Sequence, residues 1–135
     1  MGTRGCIGIK NTNGTVTAIY NHYDSGLKNL GRLLKKYFKT EEQVRELIDI
    51  GSISSIYDIE TYRRFKESSY LFDEREWKEL NLVGIKVHLM PTEESAEIYN
   101  DIENVMGYMI CYAYLFVPWE NKWYYTKGNG LKILK

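Results

Sequence analysis

Arg4-Gly5-Cys6-Ile7-Gly8-Ile9-Lys10-Asn11-Thr12-Asn13-Gly14-Thr15-Val16-Thr17-Ala18-Ile19-Tyr20-Asn21-His22 is the stretch on which the fold turns. Residues 4–10 and 15–22 read as the two strands of a β-hairpin. Asn11-Thr12-Asn13-Gly14 between them is strong turn chemistry, because Asn-Gly takes positive φ at little cost. The second strand is rich in β-branched and aromatic residues, which suit a pleated surface.

Working outward, Asp24-Ser25-Gly26 reads as a loop able to cap a helix. Leu27, Leu30, Leu34, Tyr37 and Phe38 then fall on one helical face. The opposite face carries Lys28, Arg32, Lys35, Lys36 and Lys39, with no acid between Ser25 and Thr40. Thr40-Glu41-Glu42-Gln43 is a capping box for a second helix, with Val44, Leu47 and Ile48 as its apolar stripe and Gly51 as its stop. Residues 52–82 hold Tyr57, Tyr62, Phe65, Tyr70, Phe72 and Trp77 among mixed charges and are read as short helical pieces. Residues 83–89 alternate as a strand. Thr92-Glu93-Glu94 is expected to open a third helix, with stripe Ile98, Ile102, Val105 and Met106 and Gly107 as its end. Residues 109–117 and 122–127 form a second hairpin around Pro118-Trp119-Glu120-Asn121, and Gly128 with Gly130 makes a turn before Leu131–Leu134. Strands at both ends with helices between predict an α+β fold. Its antiparallel or mixed sheet would be built from N- and C-terminal hairpins and covered by about three helices.

The chain has 135 residues, the size of one domain, and residues 1–135 contain no linker or repeat. Eighteen basic residues balance eighteen acidic ones, so no overall field draws the chain to duplex nucleic acid or an anionic membrane. No apolar run is long enough to span a membrane. Twelve tyrosines and three tryptophans suit a recognition surface, although tyrosines also half-bury readily on strands.

Chemistry is sparse. Cys6 and Cys111 form no metal or redox motif, and without a secretory signal they are expected as free buried thiols in a reducing cytosol. Met1-Gly2-Thr3-Arg4-Gly5-Cys6 fails as a myristoylation signal, because Cys6 stands where Ser or Thr is needed. His22 and His88 are the only histidines, neither in a ligand cluster, so no metal or cofactor is expected. No glycine-rich phosphate loop is present; Lys127-Gly128-Asn129-Gly130 reads as a turn. His22 and Asp24 share a strand face and would serve a hydrolase only with a nucleophile brought from elsewhere. Arg4 at the start of one strand and His22 with Asp24 at the end of the other lie side by side in the hairpin. Arg4, Tyr20, His22, Asp24 and Lys28 could therefore surround one site for a phosphate and a base. The alternative is an Arg4–Asp24 salt bridge that locks the hairpin end.

The opening Met1-Gly2-Thr3-Arg4-Gly5-Cys6-Ile7-Gly8-Ile9 resembles that of a group of small phage and prophage accessory proteins. In that group a strand ends in a Tyr/Asn-His-Trp-Asp-Gly-Tyr-Pro type motif, where this chain reads Tyr20-Asn21-His22-Tyr23-Asp24-Ser25-Gly26-Leu27. Residues 47–55 and the aromatic Trp123-Tyr124-Tyr125 are also similar to the group. Tyr23 stands where Trp is usual, and the Gly-Tyr-Pro turn is missing. The resemblance implies a phage protein acting in the bacterial host cytoplasm, by binding more than by catalysis. Two roles follow as expectations: sequestering a small nucleotide immune signal of cyclic or ADP-ribose type, or inhibiting a host defence nuclease or effector. For the second role Trp119 and Trp77 are the candidate contact residues. A phosphoester hydrolase is the weaker third role, and a homo-oligomer is compatible with all three.

Overall fold

The computed structural model describes residues 3–106 and 110–135 and has an α+β architecture around one mixed sheet. In chain order the strands are β1 (Gly5–Lys10), β2 (Val16–Asn21), β3 (Ile53–Asp58), β4 (Lys78–Leu82), β5 (Ile85–Pro91), β6 (Glu97–Tyr99), β7 (Tyr112–Val117), β8 (Lys122–Thr126) and β9 (Lys132–Ile133). The helices are α1 (Arg32–Tyr37), α2 (Glu41–Asp49), α3 (Ile59–Ser68) and α4 (Ile102–Met106). A wide π-type turn, Leu27–Gly31, leads into α1.

The first hairpin forms as expected. Gly14 sits at φ +90°, its N–H donates to the Asn11 carbonyl at 3.0 Å, and Asn11 reaches Thr15 and Thr17 through its amide. β1 pairs β2 antiparallel on one side and β7 parallel on the other. The sheet therefore runs β4-β5-β3-β2-β1-β7-β8-β9. β2 is forked: Val16–Ala18 pair antiparallel with β6, while Asn21 pairs parallel with Ile53 of β3. At the fork the Ser52 hydroxyl accepts from the Tyr20 N–H at 2.9 Å, and the Ser52 N–H donates to the Glu94 carbonyl at 2.8 Å.

Side-chain alternation splits the core into two layers. Ile7, Ile9, Ile19, Tyr114 and Phe116 face Leu30 of the lead-in turn, Leu34 of α1, Phe38 just after it, and Val44 and Leu47 of α2. Cys6, Val16, Ala18, Leu115 and Val117 face the other way, against Ile102 of α4. Each fully buried aliphatic side chain contributes about 1.5–3 kcal/mol. Two buried hydrogen bonds tie the sheet to α1 and its lead-in turn: Trp123 donates to the Phe38 carbonyl, and the Tyr114 hydroxyl donates to that of Ser25, each at 2.7 Å.

Several sequence expectations are corrected. Residues 52–82 are not only helical pieces, since they include strands β3 and β4 as well as α3. The strand expected over residues 83–89 forms as β5 but starts two residues later, because Val83 (φ +53°) and Gly84 (φ +89°) form a two-residue turn between β4 and β5. No helix starts at Thr92. Glu93 lies at φ +72°, Ile98 is exposed on β6, and the helix begins only at Ile102, where the Asp101 carboxylate accepts from the Asn104 N–H. Gly107 as helix end and Met109 as strand start fall outside the described residues. Ser25 does not cap a helix; its hydroxyl is buried and donates to the Asn21 carbonyl. Cys6 is buried, and burial pushes its thiol up to about 12, but Cys111 is exposed.

α3 is started by Asp58. Its buried carboxylate accepts from the Thr61 N–H at 3.0 Å and the Tyr37 hydroxyl at 3.1 Å, with Arg32 at 3.6 Å. Burial alone would raise this carboxyl, but the bonds from Thr61 and Tyr37 and the charge of Arg32 outweigh it and hold it below the usual range. A depressed folded pKa stabilises the protein above the unfolded value of about 3.9, and that contribution is lost as pH falls below it. Asp58→Ala is therefore expected to cost about 1–2 kcal/mol at pH 7 and to flatten the acid limb of stability. Urea titrations at pH 7 and pH 3 check this; an undiminished acid limb in the variant would contradict it.

Candidate functional site

A concavity lies where the β1–β2 hairpin end meets α3 and the segment after it. It is a cleft of about 730 Å³. One wall comes from the hairpin end: Arg4, His22, Tyr23 and Asp24. A second wall is aromatic, formed by Tyr57 of β3, Phe65 of α3, Phe72 and Trp77, with the exposed Leu71 also lining the cleft.

The aromatic wall follows from strand register. Tyr57 and His88 are direct partners on β3 and β5, so both project from the sheet face opposite α1 and α2. α3 crosses that face with no fully buried residue of its own, and aromatic rings fill the space beneath it. Trp77 stands at the centre. It stacks with Tyr57 at 5.3 Å and with Phe72 at 6.0 Å between centroids, and Tyr62 meets it edge-on at 5.5 Å. Each such pair adds about 0.5–1.5 kcal/mol beyond simple burial. Behind the cluster Tyr62 stacks on His88 at 3.7 Å, and burial lowers the His88 pKa despite Glu79 nearby.

The hairpin wall is polar. The Tyr20 hydroxyl and His22 Nδ1 are 2.6 Å apart, and Tyr23 packs edge-on against the His22 ring at 4.4 Å. Asp24, at φ +57°, accepts from the Tyr57 hydroxyl and so ties the two walls together. Burial first, and this carboxylate second, raise the Tyr57 phenol well above its ordinary value. The Arg4–Asp24 salt bridge, the alternative reading of the hairpin end, does not form, and His22 is bonded to Tyr20 and not to Asp24. His22 and Asp24 thus do not form the hydrogen-bonded pair considered from the sequence.

Of the residues singled out from sequence, Arg4, His22, Asp24 and Trp77 line this one cleft. Tyr20 supports it through His22. Lys28 does not line it, and the turn that begins at Leu27 has no side-chain cap. Trp77, expected on an exposed interaction surface, is half-buried in the wall. Trp119 remains exposed at the β7–β8 turn, above Lys10, Thr12 and the Glu41–Arg45 pair. Sequence reasoning missed Tyr57, Phe65, Phe72, Asp73 and Glu76 as lining residues. The aromatic density of residues 57–77 was the available signal, but without β3 it could not be placed. Glu76 is a cleft carboxylate without an ion-pair partner among the described residues, while Asp73 is held by Arg75 at 3.0 Å. Among these residues no three His, Cys, Asp or Glu side chains converge as metal ligands would, and no helix is long and apolar enough to cross a membrane. No family model, curated protein or solved structure matches the chain.

Proposed function

We propose that the protein is a binding protein whose aromatic cleft takes up a nucleotide. The observation that carries this reading is the convergence on one cleft of the rings Tyr57, Phe65, Phe72 and Trp77 with Arg4 and His22. Stacking on exposed ring surface suits a base, and carboxylates such as Glu76 accept from its amino groups or from ribose hydroxyls. A single guanidinium suits one phosphate or a phosphodiester more than a triphosphate. Together with the sequence resemblance, this favours a phage counter-defence protein that sequesters a cyclic or ADP-ribose-type signal in the host cytoplasm.

The test is native mass spectrometry and thermal shift with a panel of cyclic dinucleotides, cyclic mononucleotides and ADP-ribose. A ligand at a hundredfold excess over its Kd stabilises the fold by about 2.7 kcal/mol. Arg4→Ala should weaken that ligand about tenfold or more through loss of a charge-assisted bond. No mass gain and no shift with any member of the panel would dispose of the nucleotide reading.

A protein-surface inhibitor is the second reading, favoured by Trp119 at 57% exposure and by Tyr70 and Leu71 at 95% and 78%. Large exposed side chains of this kind anchor interfaces.

A further inference from the structure

The charges of this neutral chain are segregated. Residues 25–40 and 121–135 together hold nine of the eighteen cations and none of the eighteen acids. The nine are Lys28, Arg32, Lys35, Lys36 and Lys39 in the first segment, and Lys122, Lys127, Lys132 and Lys135 in the second; every one is exposed. The two segments are packed together in the fold. Trp123 hydrogen-bonds the Phe38 carbonyl, and Gly31 lies against Leu134. Leu27 shares a groove of about 540 Å³ with Tyr125, Ile133 and Leu134, rimmed by Lys132 and Lys135.

These cations are also largely free. Only Arg32 of the nine has a carboxylate within 4.0 Å among the described residues, whereas four of the nine cations elsewhere, Arg45, Lys66, Arg75 and Lys86, are paired. At physiological salt, charges interact over only about 8 Å, so apart from Asp58 at Arg32 and the bordering Asp24, Glu41, Glu42 and Glu120 the carboxylates of the molecule do not cancel this flank. Overall neutrality therefore hides a locally basic surface.

We propose that this flank binds the backbone of single-stranded nucleic acid, with the groove beside β9 accepting an unstacked base. Eight of the nine cations are lysines. Lysine is depleted in protein–protein interfaces, and its ammonium acts as a point charge suited to phosphates without sequence readout. The groove offers a tyrosine ring and the apolar Leu27 and Ile133, surfaces that a splayed base uses and that a duplex cannot reach. This site is separate from the aromatic cleft and does not depend on what the cleft binds.

The experiment is fluorescence anisotropy of the full chain with labelled oligo(dT) and oligo(U) at 50 and 200 mM KCl. Binding is expected at 50 mM and at least tenfold weaker at 200 mM, through counterion release. The double variants Lys35→Glu with Lys36→Glu, and Lys132→Glu with Lys135→Glu, should each weaken it at least tenfold. Lys78→Glu on β4 should leave it unchanged. Because the two pairs lie on different segments and the salt slope needs no variant, a folding defect in one does not shelter the proposal. No binding at 50 mM, binding indifferent to both pairs, equal affinity for a blunt duplex, or equal displacement by polyglutamate would each overturn it.

Discussion

Gly51→Ala is expected to destabilise the protein by about 3 kcal/mol, on the order of 10 °C in Tm for a chain of this size. Gly51 follows α2 at φ +94°, where side chains with a Cβ are strained. A Cβ placed there would also meet the Glu94 carbonyl oxygen at 2.3 Å, and that oxygen belongs to backbone that cannot swing aside. The carbonyl already accepts from the Ser52 N–H, so relief of the collision breaks the fork at which β2 passes from β6 to β3. Gly14→Ala is the control. Gly14 has a similar φ of +90° but nothing within 4 Å of the added carbon, so its cost of about 1 kcal/mol is conformational alone. Equal losses of stability in the two variants, measured by urea denaturation, would show that the contact with Glu94 is not what constrains residue 51. Because β3 carries Ser55 and Tyr57 into the cleft, the Gly51 variant should also bind its ligand more weakly than the Gly14 variant.

Trp77→Ala is expected to lower ligand affinity by about 2 kcal/mol, roughly thirtyfold. Trp77 contacts four other rings, yet none of the five belongs to either hydrophobic core. Deleting it collapses one wall of the cleft and loosens the packing beneath α3, but leaves the core between the sheet and α1 and α2 intact. Trp77→Phe should restore part of the affinity, since a ring is kept and only area is lost. Calorimetry with the best nucleotide of the panel reads both variants. Undiminished affinity in Trp77→Ala would place the ligand elsewhere on the molecule.

The parts of the fold that were legible in the sequence are those specified by local chemistry. Asn13-Gly14 fixes one hairpin, and Thr40 with Gln43 makes a reciprocal capping box as read. Pro118 to Asn121 turns β7 into β8. What was illegible depends on partners far along the chain. β3 reads Ile-Ser-Ser-Ile-Tyr-Asp, and a register shift between Ile53 and Ile56 breaks its alternation, so neither a strand nor a helix period emerges. β4 is a mostly exposed edge strand of Lys, Glu, Leu and Asn, whose composition favours a helix as much as a strand. Val83 hides the turn beside it, because a β-branched residue at positive φ is uncommon. Ile98 and Ile102 keep a helical spacing that the structure does not use, since residues 97–99 pair with β2 instead. The candidate site was half visible for the same reason. The hairpin wall, Arg4, His22 and Asp24, is local in the chain, whereas the aromatic wall exists only once β3 and β5 are paired.

The parallel pairing of β1 with β7 has a consequence for how the protein is made. β1 begins at Gly5 and its second neighbour begins at Tyr112, so nearly the whole described chain must be synthesised before that ladder can close. Until then the first hairpin carries an open edge bearing Cys6, Ile7 and Ile9, all destined for burial. Contacts this distant along the chain slow folding, and unpaired edges recruit other strands. Each nascent chain thus passes through a stage in which a strand destined for burial is formed but unguarded, and yield in cells should depend on how quickly the last strands arrive.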